Sequence, residues 1–465
     1  MKRITPLILA VALFMELMDS TVIATSLPAI AADIGTEPVA LKLALTAYLV
    51  ALAIFIPVSG WMADRYGARN IFRWAIFVFV LGSIACAFSD SLLTFVLSRF
   101  LQGMGGSMMT PLARLILVRT TPRSELINAW AWLTIPALIG PLAGPPIGGF
   151  LTTYLSWHWI FLINVPIGLA GILLASRFLP VTGFRDHRRL DTLGFVLSGL
   201  SFACVIFGLS VVSMPALPPI FGILLTLSGF VFGAAYVFDA RRKPNPLLNL
   251  EIFREPIFRL AIISGVIFRI GLGAVPFLLP LMLQLGFGYT PFESGAITFI
   301  GAAGAILIKF GVSWILHRVG FRRILIGSSF MAALFIGFLG FFTAQTSVLV
   351  MLLVIFFSGY FRSLFFTSLN SLTFSETKTE DIGPANAILA VSQQLSTALG
   401  VALAATILEV SAAARGSEVG ATDFRLALFG IAVICAFAVV PLFYLRPNAG
   451  SEVSGHRPNP TLPIG

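Results

Sequence analysis

The segment "GWMADRYGARN" (residues 60–70) separates two long apolar runs and places three charged residues and a glycine within six positions. A related segment, "SWILHRVGFRR" (residues 313–323), has the same outline. Sliding the chain by 253 positions, which lays Trp61 on Trp314, also aligns two arginines, a glycine and an isoleucine. A weak internal repeat in a chain with many apolar segments indicates two related helix bundles that rock against each other around a central site.

The composition indicates a membrane protein. Of the 465 residues, 58% are hydrophobic and 11% are charged, whereas soluble domains average about 25% charged residues. A transmembrane helix needs about 20 mostly apolar residues, and on that basis we predict an all-α polytopic protein with fourteen spans. The predicted spans cover residues 7–31, 40–63, 72–88, 92–118, 128–150, 157–179, 191–213, 216–238, 257–284, 292–316, 322–343, 346–369, 385–410 and 423–445.

The basic residues are distributed unevenly between the two sets of connections. If the amino terminus is inside the cell, the inner connections and the tail hold 20 of the 30 Lys and Arg residues, and the outer connections hold only Lys42, Arg415 and Arg425. Positive charge on the cytoplasmic side orients membrane proteins. The pattern therefore predicts that both termini are cytoplasmic, and it explains the formal charge of +10 without a nucleic-acid partner.

The predicted spans divide into groups of six, two and six. We expect an amino-terminal six-helix bundle over residues 1–180 and a carboxy-terminal six-helix bundle over residues 257–446. An inserted two-helix hairpin with cytoplasmic linkers occupies residues 181–256, and a flexible cytoplasmic tail occupies residues 447–465. The connections that flank the hairpin are basic and partly rich in proline, which is typical of linkers.

Two acidic residues lie in the first predicted span. Glu16 and Asp19 are three residues apart and therefore share a helix face. They lie roughly 14 and 18 Å from the inner end of the span, near the membrane midplane. A carboxylate at that depth is costly unless it is paired or hydrated, so its usual role is functional. Arg99 lies at a matching depth in the fourth span, and we predict an Asp19–Arg99 pair that serves proton coupling together with Glu16; the alternative is a static link between the two spans.

The segment "IGPLAGPPIGG" (residues 139–149) lies in the fifth predicted span. Gly140, Gly144 and Gly148 recur at intervals of four, which leaves one helix face without side chains and favours close helix contact. Pro141 and Pro145 remove backbone donors and favour a bend. We therefore expect a kinked packing surface between the two bundles here, with ordinary close packing as the alternative.

The opening segment is consistent with a conformational latch on the cytoplasmic side. Gly67 permits a tight turn, and Arg65 and Arg69 anchor the turn at the cytoplasmic face. Asp64 is an acid among bases, and we predict that it binds a basic group or a helix amino terminus of the other bundle when the cytoplasmic side closes. The alternative is that the turn only sets the topology.

Other polar residues within the spans are candidates for a substrate cavity. The main candidates are Arg114, Arg269, Asn370, Gln393 and Gln394, and further buried amides are Gln102, Asn164 and Gln284. Five embedded bases outnumber the two acids, so a cavity lined by most of them would repel a permanent cation. These bases are Arg99, Arg114, Arg269, Lys309 and Arg362. Arg114, Lys309 and Arg362 equally suit a structural role in which their side chains reach the membrane interface.

Four segments resemble signature segments of the major facilitator superfamily in order and spacing. They are "FMELMDSTVIATSLPAI" (14–30), "GWMADRYGAR" (60–69), "RFLQGMGGSMMTP" (99–111) and "IGPLAGPPIGG" (139–149). With fourteen predicted spans, the chain is similar to the drug:proton antiporter branch of the EmrB/QacA type. The resemblance implies the major facilitator fold, proton and substrate binding by the acids of the first span, and a gate in the proline-glycine segment. His317 departs from the pattern, because the first copy of the repeat has Asp64 at that position.

These observations favour an inner-membrane secondary transporter that exports a small amphipathic compound in exchange for protons. The chain contains no phosphate-binding loop, metal-spaced Cys/His cluster or nucleophile elbow, so we expect neither an enzyme nor a cofactor. The alternatives are a proton-coupled carrier of an anionic metabolite and a transporter-like sensor without turnover. The expected partners are the substrate, protons and the lipid bilayer, while the need for a periplasmic adaptor stays open.

Overall fold

The computed structural model describes residues 4–121, 126–180, 190–212, 218–243, 246–248, 250–373, 375 and 382–451. The secondary structure of these residues consists of helices and turns, without a β-strand. Residues 181–189 of the predicted hairpin region and the predicted tail after residue 451 lie outside the described ranges.

The described residues of the amino-terminal bundle form eight α-helices: α1 (Ile4–Val22), α2 (Leu27–Asp33), α3 (Lys42–Tyr66), α4 (Ala68–Ala87), α5 (Leu92–Thr120), α6 (Leu126–Tyr154), α7 (Trp159–Leu162) and α8 (Asn164–Phe178). Helix α1 packs along α6, and α5 packs against both α3 and α4. A capping box starts α5: the Ser91 hydroxyl accepts from the Thr94 amide at 3.3 Å, and the Thr94 hydroxyl accepts from the Ser91 amide at 3.1 Å.

Two long helices, α9 (Thr192–Val212) and α10 (Pro219–Ala240), pair with each other as a hairpin. The carboxy-terminal bundle follows with α11 (Pro256–Gly273), α12 (Val275–Leu281), α13 (Pro291–Leu307), α14 (Val312–Val319), α15 (Phe321–Leu339), α16 (Val348–Thr373), α17 (Ile382–Arg415), α18 (Ala421–Phe437) and α19 (Val439–Phe443). Prolines in the first turns of α10, α11 and α13 suit helix starts, where an N–H has no helical partner.

The hairpin lies beside both bundles, because α9 contacts α3 on one side and α17 on the other. An ion-pair cluster closes its open end. The Nζ atom of Lys243 donates to Asp191 Oδ1 and to Asp239 Oδ2, each at 2.5 Å. The residue before α9 is thereby tied to the residues that follow α10.

Twelve helical segments of the described residues are long and apolar enough to cross a membrane. Two further helices of 29 residues each, α5 and α6, lie between the third and fourth of these segments, where two spans were predicted. Arg99, Gln102 and Arg114 make α5 less apolar than its neighbours. The first segment ends at Thr25 and not at residue 31, because Pro28 begins the separate short helix α2.

The internal repeat has the same backbone conformation in both copies. Gly67 joins α3 to α4 with φ 87°, and Gly320 joins α14 to α15 with φ 81°. Residues with a side chain rarely adopt these φ values, which accounts for glycine at each turn. Arg69 Nη2 donates to a carbonyl near the end of α8, and Arg322 Nη2 donates to a carbonyl at the end of α19. The repeated arginine therefore ties the turn to the last helix of each bundle.

Candidate functional site

A polar network surrounds Asp19 in the interior of the amino-terminal bundle. Its carboxylate accepts three hydrogen bonds of 2.8 Å, from Arg99 Nη1, Gln102 Nε2 and Asn164 Nδ2. The side chains of Asp19 and Arg99 are 0% and 1% exposed. The predicted Asp19–Arg99 pair is therefore present, and it links α1 to α5. The amide of Asn164 adds a link to α8.

Further contacts fix the position of Arg99. Its guanidinium lies over the ring of Tyr48, 4.3 Å from the centroid, and Nη1 also donates to Gln102 Oε1. Gln102 Nε2 donates to Ser83 Oγ at 2.8 Å, which extends the network to α4. A buried ion pair needs such additional hydrogen bonds to offset the loss of hydration. The sequence indicated Gln102 and Asn164 only as buried amides, and it gave no sign of Tyr48 or Ser83.

Glu16 lies one turn before Asp19 on α1 and has a separate environment. Its carboxylate accepts a hydrogen bond of 2.8 Å from the hydroxyl of Thr110 on α5, and the residue is 8% exposed. In the described residues no base lies within ion-pair distance of Glu16. Glu16 is thus a buried acid held by a neutral partner, while Asp19 is a buried acid held by a base.

Gly140, Gly144 and Gly148 form a glycine stripe on α6, and this stripe contacts a different neighbour from the predicted one. A Cβ atom at Gly140 would lie 2.8 Å from the carbonyl oxygen of Phe14, and one at Gly148 would lie 2.3 Å from that of Val22. Gly144 meets the Thr21 side chain in the same way. The stripe therefore packs α6 against α1 inside one bundle and does not face the other bundle. Glycine is used here because the two backbones are too close for a side chain.

The contact between bundles uses the adjacent face of α6. A Cβ atom at Gly295 on α13 would lie 2.3 Å from the carbonyl oxygen of Pro145, and one at Gly149 would lie 2.5 Å from the carbonyl oxygen of Pro291. The helix continues through Pro141 and Pro145 without interruption. The proline-glycine segment does reach the second bundle, but through Pro145 and Gly149.

The predicted latch residue Asp64 has a partner in its own bundle. Its Oδ1 atom accepts from Arg119 Nη2 at 2.6 Å, and Arg119 lies in the last turn of α5. Among the described residues of this conformation Asp64 is paired within its own bundle, so the latch, which is predicted for a closed cytoplasmic side, stays a prediction. Arg65 is exposed, and Arg69 binds the end of α8. The charges of this segment hold the end of the amino-terminal bundle together.

An ion pair between the bundles lies at the opposite end of the molecule, which we call the Lys42 end. Lys42 at the start of α3 donates to both carboxylate oxygens of Glu409 in α17, at 2.6 and 2.7 Å. The two side chains are 0% and 14% exposed. Gln284 Nε2 donates to the Thr25 carbonyl oxygen at 3.0 Å across the same end. A base at the predicted outer start of one apolar helix and an acid in another were the sequence signal for this pair, and the sequence analysis missed it.

Two cavities lie between the bundles. The apolar cavity, of about 200 Å³, is lined mainly by apolar residues of α1, α6, α12, α13 and α16, such as Pro141, Leu279 and Phe299. The basic cavity, of about 310 Å³, includes Lys309 and Asn370 in its wall. Arg362 lines both cavities. The apolar walls and few polar groups are typical of small-molecule sites.

The predicted substrate residues are distributed unevenly around these cavities. Asn370 lines the basic cavity. Arg269 is buried behind the wall, with its guanidinium 4.5 Å from the centroid of the Phe366 ring. Arg114, Gln393 and Gln394 are not among the described residues that line either cavity. The described residues contain no group of three or more His, Cys, Asp or Glu side chains that could hold a metal ion.

Comparison with known sequences gives matches over most of the chain. A sequence model described as Major Facilitator Superfamily matches residues 9–401 and 261–464. A protein of Pectobacterium atrosepticum named "Putative multidrug resistance protein MdtD" is 35% identical over 440 residues, which cover 94% of each chain. A protein of Haemophilus influenzae named "Probable transport protein HsrA" is 35% identical over 402 residues, which cover 86% of each chain.

Solved transporter structures have a similar fold. The crystal structure of a D-xylose–proton symporter has a TM-score of 0.70 at 13% identity, and covers 96% of this chain and 98% of its own. The POT family transporter PepTSo has a TM-score of 0.71 at 14% identity, and covers 98% and 99%. At these identities the similarity concerns the fold alone.

Proposed function

Because this chain belongs to the Major Facilitator Superfamily, we propose that it exports small amphipathic compounds across the inner membrane in exchange for protons. The family and its relatives make the chain a membrane transporter and not an enzyme. The relative named as a multidrug resistance protein covers 94% of the chain at 35% identity, which supports drugs or drug-like amphipaths as the substrate class. The energy source in this proposal is the proton gradient.

The burial of Asp19 against Arg99 is the observation that carries the proposal. A carboxylate with three hydrogen-bond donors and no exposure is stable as an anion only while those donors face it. Protonation removes its charge and leaves the arginine without a counter-ion, which is costly inside a protein. Binding and release of a proton at Asp19 therefore alters the contact of α1 with α5 and α8, and shifts the balance between two conformations.

Glu16 supplies a second acid on the same helix. It lies closer than Asp19 to the amino-terminal end of α1, and its neutral partner Thr110 remains a suitable hydrogen-bond partner when the acid is protonated. In our proposal Glu16 takes part in proton exchange without an arginine to release. The relative contributions of the two acids are separable by single substitutions.

The topology in this proposal has fourteen spans and cytoplasmic termini, as in the EmrB/QacA-type branch. The two 29-residue helices α5 and α6 supplement the twelve apolar segments. The excess of Lys and Arg in alternate connections supports the orientation. The Lys42 end is then extracellular. The Lys42–Glu409 ion pair and the Gln284–Thr25 hydrogen bond join the two bundles at this end, so in this proposal the carrier is closed on the outside.

The test uses the full chain in proteoliposomes with an imposed pH gradient. We expect gradient-driven flux of a fluorescent amphipathic drug in the parent protein, and at least a tenfold loss with Asp19→Asn. A matched control is Glu37→Gln, because Glu37 is an exposed acid at the Lys42 end of the same bundle. Undiminished proton-driven flux in a well-folded Asp19→Asn protein would contradict the role of Asp19. A parent protein that binds drugs but moves none of them would favour a sensor.

A further inference from the structure

Three basic side chains at or near the two cavities have no acidic partner among the described residues. In the described residues no carboxylate lies within 4.0 Å of Arg269, Lys309 or Arg362. Elsewhere within the helices, Arg99 is paired with Asp19, and Lys42 is paired with Glu409. Because an unpaired charge at membrane depth is costly, such residues commonly face a cavity or a ligand.

The two cavities carry positive charge without negative charge. Arg362 lines both of them, and Lys309 lines the basic cavity. The described residues of their walls include no Asp or Glu. Arg269 is buried and Arg362 is partly buried, so water screens their potential less than at the protein surface, whereas Lys309 is exposed. An anion gains from this environment, and a permanent cation is repelled.

One face of α16 arranges these groups in a row. Arg362, Phe366 and Asn370 are spaced by four residues and all line the basic cavity. The guanidinium of Arg269 lies 4.5 Å from the centroid of the Phe366 ring and adds a third positive charge close to the wall. Asn370 Oδ1 is buried and accepts no hydrogen bond from the described residues. Buried polar atoms normally have a partner, and because this oxygen is an acceptor, the partner it lacks is a donor such as ordered water and not a carboxylate.

We propose that the two cavities form one binding site for an amphipathic carboxylate, with Arg362 and Lys309 as the anion-binding residues. This inference rests on the proposed transport function and adds the charge of the substrate. The guanidinium of Arg362 matches a carboxylate with two parallel hydrogen bonds. The apolar body of the ligand occupies the cavity formed by Pro141, Leu279 and Phe299. Pro141 belongs to α6, so the ligand contacts both bundles.

The test compares three ligands that share one ring system and differ in charge. The probes are 2-naphthoate, 2-naphthamide and 2-naphthylmethylammonium, and the full chain is reconstituted in lipid nanodiscs for equilibrium binding. We expect the anion to bind with the highest affinity. Arg362→Gln and Lys309→Gln should each weaken its binding at least about tenfold, as expected for a charge-assisted hydrogen bond. Arg254→Gln is the matched control, because the Arg254 side chain is 83% exposed.

Selectivity for charge in the unmodified protein does not depend on the folding of any variant. Tighter binding of the ammonium compound than of the carboxylate, or no saturable binding of the carboxylate, would overturn the inference. Unchanged carboxylate affinity in monodisperse Arg362→Gln and Lys309→Gln proteins would overturn it as well. Gradient-driven flux measured with the same three probes separates this result from the transport proposal. Flux of the cation alone contradicts the anion site, whereas bound ligands that no gradient moves contradict transport.

Discussion

Replacing Glu409 by glutamine should open the Lys42 end of the transporter. The substitution preserves the size of the side chain and removes the negative charge that Lys42 contacts at 2.6 and 2.7 Å. When the bundles separate at this end, water can hydrate both charged groups. When they are together, Lys42 is 0% exposed and has Glu409 as an acidic partner. The substitution therefore destabilises the closed state much more than the open one.

The magnitude follows from the geometry. A hydrogen bond to a charged group contributes about 1.5–3 kcal/mol, and Glu409 is 14% exposed, which leaves little solvent screening. A change of about 1.4 kcal/mol alters an equilibrium constant tenfold. We therefore expect the population that is open at the Lys42 end to rise roughly ten- to hundredfold.

A cysteine reporter at Thr46 measures this population. Thr46 is buried and follows Lys42 by four residues on α3, so it lies on the face that contacts α17. In a background without Cys86, Cys204 and Cys435, the labelling rate of Thr46→Cys by a membrane-impermeant maleimide is proportional to the open population. Glu409→Gln should raise this rate at least tenfold.

Glu418→Gln is the control for a change of charge at the same end. Glu418 is exposed, and we expect its substitution to change the labelling rate less than twofold. The exchanged pair Lys42→Glu with Glu409→Lys should restore slow labelling if the ion pair closes this end. A Glu409→Gln rate within twofold of the parent rate would show that apolar packing alone closes it, and the reasoning above would be wrong.

Three further predictions concern stability in lipid nanodiscs. Gly148→Ala should lower the unfolding temperature, because its Cβ would lie 2.3 Å from a carbonyl oxygen of α1 and overpacking costs about 1–3 kcal/mol. Gly60→Ala is the control and should leave the unfolding temperature unchanged, because nothing lies within 4 Å of the added Cβ. Gly67→Ala should destabilise the α3–α4 turn by about 1–3 kcal/mol, because φ is 87°, and thermal unfolding measures the loss. The third prediction is a pH dependence. Burial alone would raise the pKa of Asp191, but hydrogen bonds from Lys243 and backbone amides hold it below its usual range. The hydrogen bonds that Lys243 donates to Asp191 and Asp239 raise the pKa of Lys243. The extra stability of the parent over Lys243→Met should therefore persist near neutral pH, and it should be lost as the pH falls below about 4 or rises above about 10.4.

The sequence predicted the Asp19–Arg99 pair because depth in a helix is a nearly one-dimensional quantity. Counting residues from the ends of the first and fourth spans places Asp19 and Arg99 at the same depth in the membrane. A buried acid and a buried base at the same depth form an ion pair, because each is costly when it is buried without a partner. The structure confirms that contact at 2.8 Å. The amides that complete the network depend on the rotation of α5 and α8 about their axes, which residue counting does not provide.

The same limit applies to the neighbour of the glycine stripe and to the partner of Asp64. A glycine every four residues predicts a close helix contact, but it does not identify the partner, and the stripe of α6 faces α1. Asp64 likewise had an evident need for a basic partner. Arg119 lies 55 residues further along the chain, but it ends a helix of the same bundle and comes within 2.6 Å. Which helix or side chain a residue contacts depends on how the helices pack, and the sequence pattern does not determine that packing.

In the proposed mechanism, the position of α6 determines how a proton on α1 affects the second bundle. Asp19 and Glu16 bind α1 to α5 and α8 through hydrogen bonds that protonation changes. The glycine stripe binds α1 to α6 through backbone contact that protonation does not change. Because α6 also contacts α13 through Pro145 and Gly295, we propose that loosening the network lets α1 and α6 move as one unit with the second bundle. In this proposal the acids of α1 need no direct contact with the cavities, since the closely packed pair α1 and α6 lines the apolar cavity and carries the change to it.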